Sequence, residues 1–97
     1  MNMQALMQQA QKMQKEITKK RDELDSKEFL GKTELVEIKF TGDKKVVSVN
    51  IKEEISSDDK EILEDMISIA INDAMKQIDA EADKIMGAYG SQFGGLF

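Results

Sequence analysis

The side chains with the clearest chemical potential are cations near the start of the chain. Lys12, Lys15, Lys19, Lys20 and Arg21 form this cationic cluster, and Glu16 is the single anion among residues 1–21. That segment has a formal charge of +4, whereas the remaining residues hold nine cations against 18 anions and sum to −9. Because the rest of the chain repels anions, this concentration of charge indicates that the cluster meets an anionic partner.

Other kinds of chemistry have few candidates. The chain has no cysteine and no histidine, which excludes disulfides, thiol chemistry and imidazole catalysis. Capping and solvation of a predicted helix start account for the carboxylates at positions 58–65. No glycine-rich phosphate loop or calcium-loop spacing occurs. We therefore expect no enzymatic activity, no cofactor, no metal and no small-molecule substrate.

An apolar row runs through the N-terminal segment with spacings of three, four, three, four and then seven residues, and Lys20 occupies the position that breaks it. Its members are Met3, Leu6, Ala10, Met13, Ile17 and Leu24. Such a seam predicts a long amphipathic helix from about Asn2 to Ser26. At about 100° per residue, Lys12, Lys15 and Lys19 lie opposite the seam and form an outer stripe. The other two cations of the cluster flank the seam.

Two interpretations of the outer stripe remain open. In the first, the cations only make the helix soluble through i,i+4 ion pairs. The available pairs are Lys12–Glu16, Glu16–Lys20 and Lys19–Glu23. In the second, the stripe binds an external anion, and the like charges of Lys15 and Lys19 at the same spacing favour this interpretation.

A period of two residues replaces the helical period after Gly31. Val36, Ile38 and Phe40 alternate with charged residues, and Val47, Val49 and Ile51 alternate with Ser48 and Asn50, which predicts two strands that each bury one face. Between them, "TGDK" places Gly42 and Asp43 where a hairpin turn needs residues that tolerate positive φ. Phe29 and Leu30 could form a short additional edge strand.

A second long helix follows, capped near Ser56–Asp58 and ended by Gly87. We therefore expect one α+β domain over residues 1–86 and a flexible glycine-rich tail over residues 87–97. Helices of about 25 residues span about 37 Å and overhang strands of about 23 Å. A symmetric homodimer would cover the overhanging apolar stripes and the open sheet edge. With no segment long enough to span a membrane and no signal-peptide pattern, we expect a soluble cytoplasmic protein.

Four segments, in this order, resemble the YbaB/EbfC family of bacterial nucleoid-associated proteins. They are "MNMQALMQQAQKMQKEI", "LVEIKFTGDKKVVSVNI", "LEDMISIAINDAMKQ" and "KIMGAYG" with its glycine-rich tail. The similarity covers nearly the whole chain, and "LEDMISIAINDA" is its most specific part. Where family members commonly carry a glycine run between the first two strands, this chain has Gly31 alone, which indicates a tighter connection or a shorter first strand.

Membership would imply a homodimer with its sheets joined at the centre and its helices projecting as arms. It would also imply binding to double-stranded DNA in the nucleoid, without catalysis or a cofactor. The cationic cluster would then contact phosphates with little sequence preference. The alternative is a dimeric adaptor or recombination-associated scaffold whose helical surfaces bind a protein without direct DNA contact.

Overall fold

The computed structural model describes residues 2–93, with side chains described for residues 2–88. Its elements in order are helix α1 (Met3–Ser26), strands β1 (Glu28–Lys32), β2 (Val36–Thr41) and β3 (Val46–Ile51), a 3-10 turn (Ser57–Asp59) and helix α2 (Lys60–Phe93). The strands form one antiparallel sheet in the order β1-β2-β3. The predicted α+β class is confirmed, and the additional edge strand at Phe29 and Leu30 forms as β1.

Helix α1 has the predicted bounds because both of its ends are satisfied locally. The side-chain oxygen of Asn2 accepts a hydrogen bond of 3.0 Å from the backbone N–H of Gln4, which caps the first turn. At the other end, the N–H of Lys27 donates to the carbonyls of Glu23 and Leu24. Lys27 is the only residue between α1 and β1, so α1 leads directly into the sheet.

The core lies between α2 and one face of β1 and β2. Val36, Ile38 and Phe40 are buried as their alternation predicts, and small residues on α2 pack above them. A Cβ on Gly31 would lie 1.9 Å from the carbonyl oxygen of Ala70. Glycine is therefore needed at position 31, because the backbone of α2 passes too close to β1 for any side chain.

The hairpin turn between β2 and β3 forms at the predicted place, but its conformation differs from the prediction. Positive φ occurs at Lys44, with a value of 67°, and at neither Gly42 nor Asp43. Gly42 serves packing instead, since a Cβ there would lie 1.8 Å from the carbonyl oxygen of Leu24. The turn is thereby held against the end of α1.

The prediction that each strand buries one face is wrong for β3. All six of its residues are exposed, including Val46 at 58%, Val49 at 57% and Ile51 at 43%. The reason is the path of α2, which contacts β1 and β2 but, within the described residues, does not contact β3. An apolar strip on the α2 side of the sheet is consequently left uncovered within one chain.

The prediction that Gly87 ends the second helix is wrong, because α2 continues to Phe93. Glycine in a helix interior costs only about 1 kcal/mol relative to alanine, and Gly87 does not adopt positive φ. Residues 94–97 of the predicted tail lie outside the described residues. The division into a domain over residues 1–86 and a flexible tail over residues 87–97 stays a prediction.

The helices extend far beyond the sheet. With 24 and 34 residues, α1 and α2 are about 36 Å and 51 Å long, and the molecule measures 70 × 20 × 13 Å. The C-terminal end of α1 lies at the sheet, whereas the C-terminal end of α2 projects away from the sheet. The two projecting segments therefore run antiparallel. We call this pair of segments, residues 3–21 of α1 and 81–93 of α2, the arm.

Candidate nucleic-acid interface

The cationic cluster lies entirely on the arm. All five side chains are exposed on α1, and the nine helical steps from Lys12 to Arg21 span about 14 Å. Met13 and Leu24, two members of the apolar seam, are buried. The outer stripe, on the opposite side of the helix, therefore points away from the protein, as its spacing predicts.

Few of these cations are neutralised by the protein itself. Lys20 forms an ion pair of 3.7 Å with Glu23. Within residues 2–93, none of the other four has an anionic partner within 4 Å, and none of the three i,i+4 pairs available from the sequence forms. The structure therefore does not support the interpretation that internal ion pairs account for the outer stripe.

Most of the cations around the sheet, unlike those of the cationic cluster, form ion pairs with acidic side chains. The pairs are Lys27–Glu81 at 3.5 Å, Lys32–Glu37 at 3.9 Å, Lys39–Glu28 at 3.4 Å, Lys44–Asp79 at 3.3 Å, Lys45–Asp43 at 3.5 Å and Lys52–Glu37 at 3.0 Å. The hydrogen bond from Lys52, helped by the charges of Lys52 and Lys32, holds the pKa of Glu37 below its ordinary value. These cations are thus engaged within the chain. Of the seven cations without an ion pair in the described residues, four lie on α1 and three, Lys60, Lys76 and Lys84, lie on α2.

The structure does not bring the five cations into one continuous surface. Lys15 and Lys19 line a shallow groove on the outside of α1, together with Gln14 and Thr18. Lys20 instead lines the cleft between the two helices of the arm, opposite Lys84 of α2. Lys84 is an exposed cation that the sequence interpretation missed, because its place on a mixed polar helix face carries no distinctive pattern.

Anionic side chains limit the cationic surface on the side nearest the sheet. Asp22, Glu23 and Asp25 occupy the last turns of α1 and are exposed. The negative charges of these three side chains repel a polyanion at short range and direct it towards the distal part of the arm. The arrangement offers an exposed cationic strip that can neutralise phosphates, with no recessed pocket at the outer stripe in which a small substrate would be enclosed.

Metal sites and membrane-spanning helices are both absent from the described residues. The part of the chain that the structure describes contains no group of three acidic, histidine or cysteine residues placed to hold a metal ion. Neither described helix combines the length and the apolar character that crossing a membrane requires.

Comparison with known proteins defines the class to which this fold and surface belong. The family model for the YbaB/EbfC DNA-binding family matches residues 1–93. The match covers nearly the whole chain, so the chain belongs to the YbaB/EbfC DNA-binding family, as the sequence motifs indicate. The family is one of DNA-binding proteins and is not a class of enzymes.

Individual relatives are similar over almost their full length. A nucleoid-associated protein of Streptococcus agalactiae is 49% identical over 92 residues, with 92% of this chain and 93% of the relative covered. A nucleoid-associated protein of Ligilactobacillus salivarius is 44% identical, with 99% and 95% covered. One from Streptococcus uberis is 50% identical, with 92% and 93% covered.

Proposed function

We propose that the chain is a homodimeric nucleoid-associated protein that binds double-stranded DNA with low sequence specificity through the outer stripe, assisted by Lys20 and Arg21. The observation that carries this proposal is the cationic cluster on a projecting helix of an otherwise acidic chain: all five members are exposed, and four of them form no ion pair with the described residues. The family and the names of its relatives supply the class of ligand. The site of action is the nucleoid in the cytoplasm, where binding affects DNA organisation or gene expression.

Low specificity follows from the kind of contact that these side chains make. Lysine ammonium groups bind phosphates as point charges, and such contacts set affinity and position without reading base edges. A convex helix surface of 14 Å can follow several successive phosphates, because each strand carries one about every 3.4 Å along the duplex. The anionic side chains near the sheet keep the duplex on the arm.

We propose that a second copy of the chain packs on the exposed apolar face of β3. At about 100° per residue, Ile71 and Met75 lie on the flank of α2 opposite to Asp73 and Gln77. Because Asp73 and Gln77 reach β1, Ile71 and Met75 face the β3 side of the sheet. Together with the exposed face of β3 they present apolar surface, and burying it in a symmetric interface would remove this surface from water.

A charge on the exposed face of β3 tests this interface. Val49→Asp is expected to raise the dissociation constant of the dimer roughly 100-fold or more, because the carboxylate would be buried without a partner. Val49 is 57% exposed in one chain, so the protomer itself should remain folded. Ser48→Asp, on the opposite face of the same strand, is the matched control and should leave the dimer intact. Sedimentation equilibrium measures both, and equal dissociation constants would contradict the proposed interface.

Duplex binding is tested directly by fluorescence anisotropy with two unrelated DNA sequences over a series of salt concentrations. If about three cations of each chain engage, the dimer neutralises about six phosphates and the slope of log affinity against log salt is about −5. Similar affinity for the two sequences is expected. Absence of binding at low salt would reject the proposal.

A protein partner is the second candidate, and the distal end of the arm favours it. Met3 and Met7 are 71% and 61% exposed on α1, and flexible thioether side chains suit adaptable protein contacts. In this case the cationic cluster would meet an acidic protein. Competition between duplex DNA and an acidic polypeptide separates the two functions, because only an adaptor would prefer the polypeptide.

A further inference from the structure

The two edges of the sheet differ in whether their backbone groups are free. On either side of β1, the N–H of Thr33 donates to the carbonyl of Val36 and the carbonyl of Lys27 accepts from Gly42, so the odd-numbered residues bond towards β2. The alternation of an antiparallel ladder then directs the N–H and C=O groups of Glu28, Leu30 and Lys32 to the outer edge. Those groups are the ones that a further strand would need.

Two side chains of helix α2 form hydrogen bonds with backbone groups at this edge. The amide nitrogen of Gln77 donates to the carbonyl of Leu30 at 2.8 Å, and the N–H of Lys32 donates to the carboxylate of Asp73 at 3.1 Å. Asp73 and Gln77 are four residues apart and therefore on one side of the helix. Together they satisfy one acceptor and one donor, which are two of the six outward groups to which a neighbouring strand would bond.

The close approach of α2 to β1 makes this contact possible. Gly31 lies between Leu30 and Lys32, and the Ala70 carbonyl passes directly over it. No longer side chain separates the helix from the strand, so the short side chain of Asp73 reaches the backbone. Within the described residues, the outer edge of β3 receives no comparable hydrogen bond.

We propose that Asp73 and Gln77 close the β1 edge, so that copies of this chain do not pair with one another through it. An exposed strand edge is a template for pairing with another chain. With both edges open, each sheet could bond to two neighbours and the chains would extend into larger assemblies. This inference concerns the β1 edge and holds whether or not the proposed β3 interface forms.

The test compares Asp73→Ala/Gln77→Ala with Asn72→Ala/Lys76→Ala, two exposed residues of the same helical turn. The first variant is expected to show roughly ten-fold faster hydrogen exchange at the Lys32 amide. By light scattering, its mean mass should rise with concentration beyond that of the unmodified protein, whereas the control variant should match the unmodified protein. Identical masses for the two variants at every concentration would overturn the proposal.

A second variant decides the matter if the first does not fold. Gln77→Met keeps the approximate length of the side chain and adds no charge, but it removes the donor to the Leu30 carbonyl. It should also associate beyond the unmodified protein, and an unchanged mass would overturn the proposal. The mass of the unmodified protein reports separately on the β3 interface. A monomer that becomes a dimer in the variant would support the closed β1 edge and reject the proposed homodimer.

Discussion

Replacing Lys12, Lys15 and Lys19 together with glutamine is expected to weaken duplex DNA binding by roughly 100-fold or more at low salt. In the proposed dimer the substitution removes six cations from the outer stripes, so the slope of log affinity against log salt should become shallower by about 5. The three side chains are exposed and have no anionic partner within the described residues. Their removal should therefore leave folding and the dimer unchanged. Fluorescence anisotropy measures the affinity, and circular dichroism checks the fold.

A control with the same change in net charge separates local contacts from the general field of the protein. Lys45, Lys60 and Lys76 are exposed cations outside α1, and replacing all three with glutamine lowers the net charge equally. This variant should retain nearly the whole salt slope. If both triple variants lose the same affinity, the binding depends on overall charge and the outer stripe is not the contact surface.

Gly31→Ala is expected to reduce the free energy of unfolding by about 3 kcal/mol or more. The added methyl group would lie 1.9 Å from the Ala70 carbonyl oxygen. The obstacle is the backbone of α2 and not the end of a flexible side chain, so the helix and the strand would have to separate. Such a shift would also stretch the contacts of Asp73 and Gln77 with β1. Chemical denaturation measures the change.

The matched substitution Gly87→Ala should have the opposite sign. A Cβ at position 87 would meet nothing within 4 Å, and alanine stabilises a helix interior relative to glycine by about 1 kcal/mol. Because both variants add one methyl group to a glycine, their difference isolates the effect of close packing. A Gly31→Ala variant as stable as the unmodified protein would show that α2 does not approach β1 as closely as the structure places it.

Much of the local structure follows from patterns in the sequence. The seam from Met3 to Leu24 and the alternation of Val36, Ile38 and Phe40 are periodic over enough residues for the elements to be predicted with their faces. The bounds of α1 were predictable because the apolar seam from Met3 to Leu24 marks where the helical period begins and ends. The C-terminal end of α2 was not predictable from Gly87, because the free-energy cost of one glycine is small compared with the hydrogen bonds of a long helix.

The sequence by itself determined the order of helices and strands, the orientation of the outer stripe and the concentration of positive charge at one end, because periodicity and charge are properties of neighbouring residues. The tertiary structure decided which cations are paired, why Gly31 and Gly42 are needed, that β3 is left uncovered and that the β1 edge is closed. Those features depend on contacts between residues far apart in the chain, such as Gln77 with Leu30. No local pattern encodes the path of α2 across two strands of a three-stranded sheet, and this path sets which surfaces remain free for a partner.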